Sequence, residues 1–126
     1  FETAWPAALA AQPFREDLLT YFEEFNRLNL RLMKLLGIGL KLPDTNFLVD
    51  HCDEQHCNLR LLHYPEIRRE SSDMVVRGAV HTDFGTVTLL SQDQVGGLRA
   101  QQLDGTWIDV QPIPFSIVVN VGDMMQ

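Results

Sequence analysis

Cysteine is scarce in this chain of 126 residues: Cys52 and Cys57 are too few for a disulfide framework and suit a reducing cytoplasm, the expected location. Basic clusters are scarcer still. Only Arg68 and Arg69 are adjacent, flanked by Glu66 and Glu70, and 17 acidic against 10 basic side chains leave a net charge of −7. That balance repels phosphate backbones and anionic headgroups, so neither nucleic acid nor a membrane surface is an expected partner. No apolar run approaches the roughly 20 residues needed to cross a bilayer. The opening Phe1-Glu2-Thr3-Ala4-Trp5-Pro6 lacks the basic-then-apolar order of a signal peptide and lacks an initiator Met. Residues 121–126 do not read as a polar tail, so both ends are expected to continue into further sequence. What is present, 45% hydrophobic and 21% charged residues, is the composition of one globular domain with a single core.

The hydrophobic period changes once along the chain. Residues 1–13 are rich in Ala and Pro and irregular. From residue 14 to about 36, Leu18, Phe22, Phe25, Leu28, Leu32 and Leu35 recur at helical spacing among charged positions, predicting an amphipathic helix that Gly37 and Gly39 stop. A shorter helix is expected over 44–56, opened by Pro43-Asp44. Beyond Asn58, short strands are expected near 59–64, 75–80, 86–91, 98–102, 107–110 and 117–121. Pro65, Gly85, Gly96-Gly97, Asp104-Gly105 and Pro112/Pro114 break them. Asp104-Gly105 is a hairpin signal, since both residue types tolerate positive φ. Helices followed by many short strands predict an α+β chain, a helical layer on an antiparallel barrel or jelly roll.

Chemistry concentrates in Gly78-Ala79-Val80-His81-Thr82-Asp83-Phe84-Gly85-Thr86. Side chains two apart along a strand share a face, so His81 and Asp83 are expected to turn an imidazole nitrogen and a carboxylate oxygen toward one metal ion. They are one donor short of the 2-His-1-carboxylate triad, which leaves open positions on Fe(II). A lone His-x-Asp is weakly specific. Its plain alternative is a strand-end imidazole bonded to a turn carboxylate.

The surroundings narrow the choice. His81-Thr82-Asp83-Phe84-Gly85-Thr86 is followed by Thr88-Leu89-Leu90, Val95-Gly96-Gly97-Leu98, Trp107-Ile108-Asp109-Val110 and Asn120-Val121-Gly122-Asp123. This ordered series resembles the isopenicillin N synthase-like branch of the Fe(II)/2-oxoglutarate-dependent dioxygenases. Upstream, Leu59-Arg60-Leu61-Leu62-His63-Tyr64-Pro65 is similar to the strand that precedes the metal motif in that family. The resemblance implies a double-stranded β-helix (jelly-roll) core, with residues 1–57 as helical support and 58–126 as the first part of the core. It implies that His81 and Asp83 are two of three iron ligands. It further implies that Tyr64 helps hold the distal carboxylate of 2-oxoglutarate, and that Phe84 shapes the pocket beside the iron. The implied cofactor and cosubstrates are Fe(II), 2-oxoglutarate and O2. The implied reaction couples decarboxylation of 2-oxoglutarate to hydroxylation or desaturation of a small molecule.

The family's second histidine ligand and its Arg-x-Ser grip on the cosubstrate carboxylate have no counterpart up to Gln126. A complementing segment or chain is therefore expected to complete both the triad and the jelly roll. Two other readings compete: a same-fold iron oxidase that does not use 2-oxoglutarate, and a catalytically inactive binding module. Tyr64 also reads as a core tyrosine with its hydroxyl satisfied. Asp50-His51-Cys52-Asp53-Glu54-Gln55-His56-Cys57 invites a zinc reading, but its Cys and His recur five residues apart, and i,i+5 side chains diverge on a helix. A polar helix end is expected there. Gly96, Gly97, Gly122 and Asp123 read as turn-formers without chemistry.

Overall fold

The structure, a computed structural model, describes residues 5–7, 13–52, 57–66 and 77–125. The chain divides into two compact units, Phe1–Arg77 and Gly78–Gln126. In order along the described residues come helix α1 (Phe14–Gly39), the short α2 (Phe47–Asp50), strands β1 (Val87–Leu90), β2 (Arg99–Gln101), β3 (Trp107–Asp109) and β4 (Val118–Val121), and a 3-10 turn, Asp123–Met125. The mixture of helix and strand is the one the periodicity predicts.

In the first unit, α1 follows its apolar spacing. Leu18, Phe22, Phe25, Leu28 and Leu32 are half-buried, and Tyr21 stacks on Phe25 one turn away, ring centroids 4.3 Å apart. Glu16 and Asp17 stand in the first turn, where the helix dipole favours negative charge. Two expectations fail at the other end. Leu35 is exposed, and burial passes instead to Met33 and Gly37, one turn apart. Gly37 does not stop the helix; a Cβ there would lie 2.6 Å from the Thr45 carbonyl oxygen, so glycine allows the approach of the segment leading into α2. The stop is at Lys41. Leu42 N donates to Gly37 O and Lys41 N to Ile38 O, both at 3.0 Å, with Lys41 left-handed at φ 56°. These are the paired bonds of a Schellman cap, built on lysine where glycine is usual.

The helix expected over 44–56 is cut short, and its residues 53–56 lie outside the described residues. Asp44 Oδ1 accepts from Asn46 N at 2.9 Å, which holds residues 44–46 in a side-chain-closed turn and delays the helix to Phe47. At its far end, His51 Nδ1 donates to Phe47 O at 2.7 Å. The strand expected at 59–64 joins no ladder among the described residues, and Leu59, Leu61, Leu62 and Tyr64 are exposed. Apolar content supplies a face, but a strand also needs a partner's amides and carbonyls. Of the strand expected at 75–80, residues 75 and 76 lie outside the described residues and 77–80 form a bend and irregular backbone. Arg68, Arg69 and Glu70 are outside as well.

The second unit carries two antiparallel pairs among its described residues, each strand lying within an expected one. β1 pairs with β4, Val87 opposite Val121 and Leu90 opposite Val118. β2 pairs with β3, Gln101 opposite Trp107. Between β2 and β3, Gly105 takes φ 87° while Asp104 does not, so the connection is a three-residue loop closed by a left-handed glycine. Asp104 Oδ1 accepts from Thr106 N at 2.8 Å and from Thr106 Oγ1 at 2.6 Å. The register of β1 with β4 has the consequence that matters for function. The residues just before β1 and those just after β4 meet at the same end of that sheet.

Candidate metal centre

His81, Thr82 and Asp83 lie in irregular backbone that leads into β1, between the strands expected at 75–80 and 86–91, so the strand geometry used to argue their convergence is not the one that holds them. Their side chains nonetheless converge: His81 Nε2 stands 3.7 Å from Asp83 Oδ1. Nδ1 of His81 lies 2.8 Å from the Ala79 carbonyl oxygen. A carbonyl can only accept, so Nδ1 donates to it, and in the neutral tautomer this sets, the Nε2 lone pair faces the carboxylate. A backbone carbonyl behind a histidine is the arrangement that fixes tautomer and ring orientation in metal ligands. Two cis donors each about 2.1 Å from one ion stand about 3.0 Å apart, so the exposed His81 imidazole has to close by about 0.7 Å for the pair to share a cation in a facial arrangement. His81 is 73% exposed and Asp83 26%, which leaves one face of the pair open.

The backbone under this pair is held from the far side. Asp123 N donates to Asp83 O at 2.7 Å and Gly122 N to Thr86 O at 2.9 Å. Thr82 Oγ1 donates to Asp123 Oδ2 at 3.0 Å. Gly122 is buried, and a Cβ on it would overlap the Gly85 carbonyl and come within 2.9 Å of Asp83 O. Sequence reasoning read Gly122 and Asp123 as turn-formers and passed over Thr82. The Asn-x-Gly-Asp landmark was visible, but the 41-residue separation hid its partner.

The sequence model of the 2OG-Fe(II) oxygenase superfamily matches residues 55–126. The chain belongs to this superfamily. Over 125 residues it is 39% identical to the 2-oxoglutarate-Fe(II) type oxidoreductase hxnY of Emericella nidulans, a match that covers 96% of this chain and 35% of the relative. It is 37% identical to a 1-aminocyclopropane-1-carboxylate oxidase homolog of Solanum lycopersicum, over 90% of this chain and 30% of that protein. A full-length Neurospora crassa protein, crystallised in complex with alpha-KG, matches with a TM-score of 0.76 and 26% identity across 99% of this chain and 39% of that one. The chain thus spans about a third of the length of the curated relatives it matches.

Two further site residues were predicted from the sequence of this superfamily member. Phe84 follows Asp83 directly and is 89% exposed. Tyr64 belongs to the first unit, where its carbonyl and that of Pro65 accept from the Arg77 guanidinium. Among the described residues, no three His, Cys, Asp or Glu side chains are grouped to hold a metal. The zinc reading gains no support either. His51 is committed to the end of α2, His56 lies outside the described residues, and burial followed by the nearby Cys57 raises the Cys52 thiol above its usual value. Among the described residues, no helix is long and apolar enough to cross a membrane.

Proposed function

We propose that the protein is an Fe(II)- and 2-oxoglutarate-dependent dioxygenase that oxidises a small molecule by hydroxylation or desaturation. The observation that supports this most is the His81–Asp83 pair, its imidazole oriented by the Ala79 carbonyl and its two donor atoms 3.7 Å apart. His81 Nε2 and Asp83 Oδ1 are two of the three iron ligands. The third ligand, a histidine, and the arginine that grips 2-oxoglutarate come from sequence outside the described residues. With them, residues 58–126 form the first part of a jelly-roll core and residues 1–57 support it.

Bound Fe(II) and 2-oxoglutarate supply O2 activation, with decarboxylation of the cosubstrate to succinate coupled to oxidation of a C–H bond. The chain's own residues supply position. The Ala79 carbonyl keeps the proton on Nδ1 of His81, so Nε2 stays a neutral donor. Asp83 brings the negative charge that a divalent cation requires, and its half-buried setting limits competing water. Phe84 presents an apolar ring beside Asp83 toward the substrate.

Asp83→Ala in the full-length protein removes the single carboxylate ligand. Iron-dependent succinate formation should fall to background. Full turnover by this variant would refute the assignment. Iron- and O2-dependent substrate oxidation by the wild type without succinate would instead point to an oxidase of the same family.

A further inference from the structure

We infer that Thr82 and Asp123 are positioning residues for the metal pair, a clasp that holds the His81–Asp83 backbone in its ligating arrangement from behind. The inference rests on the iron reading of His81 and Asp83, and it concerns residues that touch neither the ion nor the substrate.

The argument starts from what the two ligands lack. Residues 79–86 precede β1 and have no ladder of their own, so strand pairing does not fix the backbone between His81 and Asp83. Ordering such a segment at the moment of metal binding would weaken affinity by the conformational entropy lost. The segment after β4 does the ordering in advance. It grips the Asp83 carbonyl through Asp123 N and the Thr86 carbonyl through Gly122 N. It also takes the hydroxyl of the residue between the ligands, Thr82, on the Asp123 carboxylate. Close approach of the two backbones requires Gly122, because any side chain there would overlap Gly85.

Chemistry adds a reason for the residue types. Thr82 ties to Asp123 while His81 and Asp83, on either side of it, converge on each other. A hydroxyl donating to a carboxylate is a charge-assisted bond, stronger than a neutral one. Groups bonded directly to metal-ligating side chains change affinity by about 10–100-fold, and a bond that holds the ligands' backbone is expected at the low end of that range.

The test is anaerobic Fe(II) titration of the full-length protein, with the thermal melt of each metal-free variant measured alongside. Thr82→Val keeps the shape and loses the hydroxyl, whereas Thr82→Ser keeps the hydroxyl. Thr82→Val should weaken Fe(II) binding about tenfold with a metal-free melt close to wild type, and Thr82→Ser should stay within about twofold of wild type. Combining Thr82→Val with Asp123→Ala should bind no more weakly than the weaker single variant, because both remove the same bond. Unchanged affinity in Thr82→Val, or losses that multiply in the double variant, would overturn the inference while leaving the iron assignment intact. A metal-free melt lowered in step with affinity would overturn it too, since Thr82 would then serve the fold. Wild-type protein that binds no Fe(II) would overturn both readings together.

Discussion

Gly37 and Gly39 lie two residues apart in the same helix, neither at positive φ, and alanine at each should have opposite effects. At Gly39 the space is open: among the described residues, no atom beyond the helix's own backbone and chain neighbours lies within 4 Å of an added Cβ. Alanine there gains helix propensity, about 0.5–1 kcal/mol at the last position of α1. At Gly37 the same propensity gain meets Thr45, whose carbonyl oxygen and carbon lie 2.6 Å and 3.3 Å from the new methyl. The obstruction is backbone, in a turn already closed by the bond from Phe47 N to Asp44 O, so no side chain can swing away. Overpacking of this kind costs about 1–3 kcal/mol, which outweighs the propensity gain. Gly39→Ala should therefore be the more stable variant by about 1–3 kcal/mol. Urea unfolding of the full-length protein, followed by far-ultraviolet circular dichroism, measures the difference as a shift in midpoint at constant slope. Equal midpoints, or a higher one for Gly37→Ala, would refute the close approach of the Thr45 backbone to α1.

Lys41→Gly should stabilise the protein by about 0.5–1 kcal/mol, because it removes the left-handed strain on a side-chain-bearing residue and keeps both cap bonds; a lower unfolding midpoint would contradict the cap. The Asp104 carboxyl should titrate below its ordinary value of 3.8, held down first by the Thr106 hydroxyl and then by the Thr106 amide. A depressed folded value means that the turn's support is complete above the unfolded value and fades as pH falls through the folded one. Thr106→Val should move the Asp104 midpoint upward in a carboxyl NMR titration, and an unmoved midpoint would show that the hydroxyl bond is not formed.

The parts of the fold legible in the sequence are those that local pattern decides. Leu18, Phe22, Phe25 and Leu28 recur at helical spacing, and α1 follows. Val87–Leu90 and Val118–Val121 are apolar runs between turn residues, and both are strands. Where a second body decides, the pattern misleads. Residues 59–64 have the apolar content and the Pro65 boundary of a short strand, yet composition does not name the partner that would complete its hydrogen bonds. Gly37 looked like a stop because glycine usually is one near a helix end, while its real constraint, Thr45, lies beyond the cap in the next segment. The His81 and Asp83 pair was legible because i,i+2 convergence is local chemistry. Thr82 and Asp123 were not, since their meeting depends on the register of β1 with β4.

That same register sets a timetable for biosynthesis. Thr82 and Asp123 are 41 residues apart, and the chain between them contains the β2–β3 hairpin, whose partners Gln101 and Trp107 are close in sequence. The hairpin can close as it emerges and shortens the excursion that must be brought together, so little loop entropy remains to oppose β1–β4 pairing. The ligand loop cannot be clasped before Asp123 is made. At about 5–20 residues per second, translation leaves His81 and Asp83 unclasped for about 2–8 s after they are synthesised. On the proposed function, iron capture by this pair belongs after that interval, when the second strand of the sheet has arrived.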